Sequence, residues 1–135
     1  MKRLLYLDKK SNEIEDILSR KKQVIIKAAN IKKYPYQMIH IGYRVYLMNN
    51  NNENIILASG SVLESIYIEN NMENKDILEN YLNKSFLDKK KKTYIEQRKY
   101  ISVFILTDIK EEYAVLDHSM YGKKDDWMII NPILD

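Results

Sequence analysis

Residues 40–69 read HIGYRVYLMNNNNENIILASGSVLESIYIE, and the polar–apolar pattern there is that of a β-hairpin. Tyr43–Met48 alternates, with Val45 and Leu47 on one face and Tyr46 and Met48 on the other. Asn49–Asn54 is a polar reversal in which asparagine tolerates positive φ. Ile55–Glu69 is a long strand that bends at Gly60, where a strand glycine marks a bend or a close approach by ligand or backbone. Upstream, Arg3–Leu7 is a short strand. Ser11 and Asn12 offer an N-cap, with Glu13, Glu15 and Asp16 at the positive helix end. Ile14, Ile17 and Leu18 form an apolar stripe, and Arg20, Lys21 and Lys22 suit the C-terminal end. Gln23–Ala29, with its Val-Ile-Ile run, is a buried strand. Asn30–Ile41 is irregular, because Pro35 lacks an amide hydrogen and biases Tyr34 away from helix.

Further on, Ile77, Leu78, Tyr81 and Leu82 fall at helical spacing, and a second helical piece runs from about Lys89 to Arg98. Lys89–Lys92 is a solvated charge run. Tyr100–Thr107 is rich in β-branched and aromatic residues and reads as a strand, and Glu112–Leu116 as another. The tail has turn chemistry at Gly122, then Trp127 and a short apolar run. The expected architecture is α+β: one domain over residues 1–135, a small, mostly antiparallel β-barrel with covering helices.

The chain has 135 residues, 45% of them hydrophobic and 10% aromatic, enough to bury a single core. It has no cysteine, which removes disulfides, thiol nucleophiles and thiolate metal sites. The apolar runs are too short to span a bilayer, and the first ten residues lack a sustained apolar stretch, so the expectation is a cytoplasmic protein with no membrane association. The net charge of +3 has two readings. One is compositional, since Lys, Asn and Ile abound throughout. The other is a face for nucleic acid, where lysines gain by releasing counterions from phosphates.

The densest mixture of basic and aromatic residues is Lys27, Asn30, Lys32, Lys33, Tyr34 and Tyr36. Single-strand recognition needs this pairing, with cations along the backbone and rings on the bases; the alternative is a surface loop with one tyrosine folded inward. Trp127 offers a flat ring and Asp126 an acceptor for a base edge, or else the indole plugs the end of the barrel. Ser59 and Ser61, either side of Gly60, either bond a ligand or merely flank a bend. His40 and His118 are the only histidines and make no metal site by themselves; no metal and no cofactor are expected. There is no nucleophile elbow, P-loop or dinucleotide fingerprint.

Two stretches resemble the PUA-like superfamily, which includes the PUA, ASCH, EVE and YTH domains. In Ile17–Leu47 the helix, turn and glycine-led strand are similar to the G-x-K-x-x-E-x-R and G-D-x-V motifs of ASCH domains. Aligned on Lys22, Arg20 stands for the glycine, Ile25 for the glutamate and Lys27 for the arginine; Gly42 and Val45 match, while Tyr43 replaces the aspartate. Ile55–Ile68 resembles the next strand, of G-x-G-x-V type, and SMYGKKDDWMII resembles the tail of bacterial proteins of this kind. The resemblance covers most of the chain from Gln23 onward. It implies binding of RNA or of a modified nucleobase or nucleotide: Trp127 with Tyr34 or Tyr36 would stack on one base, Asp126, Asn30, Ser59 and Ser61 would read its edge, and Lys27, Lys32 and Lys33 would meet phosphates. It also raises an alternative, an amidohydrolase on acetylated nucleosides with Lys22 or Lys27 as the reactive amine. Ile25 stands where that chemistry has a threonine. A third alternative is an interaction domain without a small ligand, using the segment from Met72 to Arg98. Oligomeric state is not encoded in any of these features.

Overall fold

The computed structural model describes residues 2–33, 36–116 and 127–130, with Lys2 and 127–130 described as backbone. Six strands form one mixed sheet in the order β2-β5-β4-β3-β1-β6. They are β1 (Lys2–Leu7), β2 (Val24–Ala29), β3 (Arg44–Asn49), β4 (Ile55–Glu69), β5 (Tyr100–Val115) and β6 (Trp127–Ile130). Helix α1 (Glu13–Leu18) links β1 to β2. A 3-10 turn (Met72–Asn74) and helices α2 (Lys75–Ser85) and α3 (Lys89–Glu96) fill the connection between β4 and β5. The class is α+β, as the alternation of strand and helix patterns predicts.

Two long strands dominate. β4 and β5 pair antiparallel from Ile55↔Val115 to Glu69↔Tyr100, with irregularities between Ile56 and Ala58, Ser59 and Ser61, and Val62 and Glu64. Each irregularity adds local twist, so the pair coils instead of lying flat. For the same reason Tyr100–Thr107 and Glu112–Leu116 are not two strands but parts of one, which runs to Val115. Asp108, at φ 49°, marks the bend between them. Gly60 sits in the irregular stretch, and a Cβ there would lie 2.8 Å from Ile109 Cδ1 and 3.2 Å from Leu106 Cδ1. The bend therefore needs glycine for space.

The expected barrel is not a closed ladder. β1 pairs parallel with β3, and β6 antiparallel with β1, so β2 and β6 end the sheet. Curvature nevertheless brings β2 toward β1: the Lys27 ammonium on β2 donates to the Tyr6 carbonyl on β1. A side chain spans the gap where a ladder would have closed.

Alternation divides the core. Leu5, Leu7, Ile25, Val45, Leu47, Phe104 and Leu106 meet on the concave face with Ile14 and Ile17 of α1 and Ile39 of the irregular segment. Val24, Ile26, Ile68, Ile101 and Val103 point the other way, beneath Leu78 and Leu82 of α2 and Ile95 of α3. Ile95 is the one buried residue of α3, and its burial contributes about 1.5–3 kcal/mol toward docking that lysine-rich helix.

The first helix is shorter than its pattern predicts. It ends at Leu18, and Arg20 turns the chain at φ 67°. Asn12 is at φ 53° and makes no side-chain cap bond. The turn before it is closed by Glu13, whose Oε2 accepts the Asp8 amide at 2.6 Å, and by Ser11, which donates to Asp8 Oδ2 at 2.7 Å.

Candidate nucleic-acid interface

Strand register brings a ring cluster to one end of the concave face. Lys27, Ser102 and Tyr67 sit opposite one another across β2, β5 and β4, and Ala29, Tyr100 and Glu69 form the next row on that face. Tyr36, from the irregular segment, is placed over both rows. Its ring lies 5.3 Å from that of Tyr67 and 5.2 Å from that of Tyr100, both edge-on. All three tyrosines are half-buried. Tyr67 also holds the segment in place: its hydroxyl donates to the Ile39 carbonyl at 2.5 Å and accepts the Ile39 amide at 3.1 Å. Ser65 donates to the same carbonyl at 2.5 Å.

The cluster carries charge of both signs. Lys32 and Lys99 hold their ammonium groups 5.5 and 5.4 Å from the centre of the Tyr100 ring, within cation–π range. Burial pushes the Tyr36 phenol above its ordinary value, and the Glu69 carboxylate and Tyr100 push it the same way. At neutral pH Tyr36 is thus a protonated donor beside a carboxylate. Lys27 is buried in the row of Ser102 and Tyr67, and its ammonium reaches the Tyr6 carbonyl on β1.

The expected residues divide by location. Lys27, Lys32 and Tyr36 converge here. Asn30 and Lys33 are exposed on the same segment, with Asn30 on the helix side of the sheet end. Tyr34, Pro35, His118, Gly122 and Asp126 lie outside the described residues. The Trp127 backbone pairs with Leu5 on β6, the edge strand beside β1. Among the described residues no group of three or more His, Asp or Glu side chains is placed to hold a metal ion, and no helix is long and apolar enough to cross a membrane.

Ser59 and Ser61 are held in a separate network. Ser59 is fully buried and donates to Glu112 at 2.6 Å. It accepts from Arg44 Nε at 3.1 Å and Nη2 at 2.8 Å. Arg44 Nη1 reaches Ser61 at 3.1 Å and Asp108 Oδ2 at 3.0 Å, and Nη2 reaches the Asp108 carbonyl at 3.0 Å. All five guanidinium donors are used, and they staple β3 to the irregular stretch of β4 and β5.

Lys22 is sealed inside. Its ammonium lies 2.7 Å from Glu13 Oε1 and 2.8 Å from the Ser85 carbonyl, with no side-chain exposure. It ties the end of α2 to α1.

Local pattern does not single out Tyr67, Tyr100 or Glu69. Each lies on a recognisable strand with the right alternation, but only the register of β4 against β5 aligns them with Lys27 and Tyr36.

This arrangement of strands has solved counterparts. ASCH from Zymomonas mobilis superposes with a TM-score of 0.63 at 13% identity, covering 85% of this chain and 73% of its own. The fold is ASCH-like. A mutant of the same protein gives a TM-score of 0.64 at 13% identity, over 84% of this chain and 73% of that one. ASCH proteins belong to the PUA-like superfamily, and at this identity the likeness concerns the ASCH fold alone. No family model and no curated protein matches the chain.

Proposed function

We propose that this protein binds a single base of RNA, or a modified nucleobase, at the Tyr36–Tyr67–Tyr100 cluster. The observation that carries the reading is the convergence of three half-buried rings with Lys32 and Lys99 at one sheet end. Rings supply stacking of about 1–3 kcal/mol per base, and cations answer the phosphate. Glu69 and the Tyr36 hydroxyl supply an acceptor and a donor for the base edge. Trp127 and Asp126, the ring and the acceptor that the sequence offers, are assigned to the same ligand. In support, β6 lies beside β1, and Lys27 ties β1 to β2. The ASCH-like fold is consistent with this reading.

The test is a titration of single-stranded oligonucleotides and modified nucleosides by fluorescence anisotropy. Tyr100→Ala and Trp127→Ala should each weaken binding about five- to hundredfold while circular dichroism and the melting temperature stay near those of the natural protein. If the natural protein binds none of these ligands, or if loss of binding follows only from unfolding, the assignment fails.

The alternative of a reactive lysine draws no support from the geometry. The Lys22 ammonium is occupied by a carboxylate and a carbonyl, and Lys27 donates to a carbonyl in the interior.

A further inference from the structure

We propose that the groove between α2, α3 and the end of the sheet carries the single strand flanking the bound base, so that the ligand is a polynucleotide and not a free nucleoside. This rests on the base-binding reading above and specifies its substrate class. The groove encloses about 910 Å³. It lies at the same sheet end as the tyrosine cluster, on the opposite face. Asn30, Lys99 and Asn70, which border it, directly follow or precede the Ala29, Tyr100 and Glu69 row. Lys99 belongs to both places: it lines the groove and stands over the Tyr100 ring.

Four cations line the groove, Lys75, Lys92, Arg98 and Lys99, against two carboxylates, Glu79 and Glu96. None of the six is in an ion pair among the described residues. The four cations therefore line the channel without a carboxylate partner among those residues, which suits a polyanion. The Arg98 guanidinium carbon lies 3.9 Å from the centre of the Tyr94 ring. Asn70 makes the floor firm: its side chain donates to the Glu96 carbonyl at 2.9 Å and the Arg98 carbonyl at 2.8 Å, and its amide to the Lys99 carbonyl at 2.7 Å. The side-chain amides of Asn30 and Asn83 make no hydrogen bond among the described residues, so each can donate and accept along base edges. Met72 is the one exposed large apolar side chain among the groove's described lining residues, since Leu78 and Leu82 are already buried against the sheet. An amphipathic peptide helix would need a wider apolar floor.

The test compares a nucleoside monophosphate with a single-stranded octanucleotide on the full chain, across a salt series. The octanucleotide should bind about tenfold tighter or more. In the Lys75→Ala/Lys92→Ala double variant, the slope of log affinity against log salt should become shallower by about 1.4, at about 0.7 for each phosphate no longer neutralised. Monophosphate binding should not change, and Lys75→Arg/Lys92→Arg should restore the slope. The proposal is overturned if the octanucleotide binds no tighter than the monophosphate. It is also overturned if the folded double variant keeps the slope, or if an acidic peptide of equal charge binds equally well. Failure of the groove alone leaves monophosphate binding intact and sensitive to Tyr100→Ala; failure of the base-binding reading removes both.

Discussion

Replacing Lys22 with methionine would leave the Glu13 carboxylate charged where water does not reach. The two side chains are 0% and 4% exposed and 2.7 Å apart. With an effective dielectric of about 20, Coulomb attraction at that distance is about 6 kcal/mol. Removing both ions from water costs several kcal/mol each, so the intact pair contributes little net stability. Breaking it is another matter, because the desolvation remains and the attraction is gone. The expected cost of Lys22→Met is about 3–5 kcal/mol, or a melting temperature about 10–20 °C lower for a domain of this size. Glu13→Leu in the same background removes the stranded charge but leaves the Asp8 amide and the Ser85 carbonyl without partners, at about 1–3 kcal/mol each. The double variant should therefore be less destabilised than the two single changes summed, by more than about 1 kcal/mol. Urea unfolding followed by circular dichroism, with unchanged m-values, measures all four corners of the cycle. A Lys22→Met protein within about 1 kcal/mol of the natural one would refute the reasoning. The pair would then be solvated and not sealed in the interior.

Two further outcomes follow from local geometry. Burial acts to raise the Asp8 carboxyl, but bonds from Ser11, the charge of Lys91, the Lys10 amide and Asn50 outweigh it and hold the group below 3.8. A lowered folded-state value adds stability above the unfolded value and loses it as pH falls through the folded one. The melting gap between the natural protein and Asp8→Asn should thus be constant well above pH 3.8 and narrow below it; a gap unchanged by acid would contradict the assignment. Gly60→Ala should cost about 1 kcal/mol by overpacking, since its Cβ would meet the movable end of Ile109. Ile109→Val in the same chain should recover part of that loss by thermal melting, and no recovery would place the strain elsewhere.

Local pattern carried much of the architecture. The Val45/Leu47 alternation, the asparagine reversal, the bend at Gly60 and the 3.6-residue spacing of Leu78 and Leu82 are all properties of neighbouring residues, and all appear in the fold. The resemblance around Lys22, Gly42 and Val45 pointed to the ASCH-like arrangement that the solved structures share. It did not convey what Lys22 touches, because Glu13 and Ser85 are 9 and 63 residues away. The pattern also overshot at the ends of α1 and divided β5 in two. A bulged strand interrupts its own alternation, and only the partner strand shows that pairing continues.

The amino-acid sequence alone determined the centres of most strands and helices, the apolar faces of β3 and α2, and that the 27–36 stretch is basic and aromatic; these depend on side-chain chemistry at short separation. Tertiary structure decided that Tyr67 and Tyr100 join Tyr36, that Ser59 and Ser61 secure Arg44, and that Lys27 closes the gap between β2 and β1. Those outcomes depend on strand register and sheet curvature. A one-residue slip of β4 against β5 would turn Tyr67 to the other face without altering any local preference.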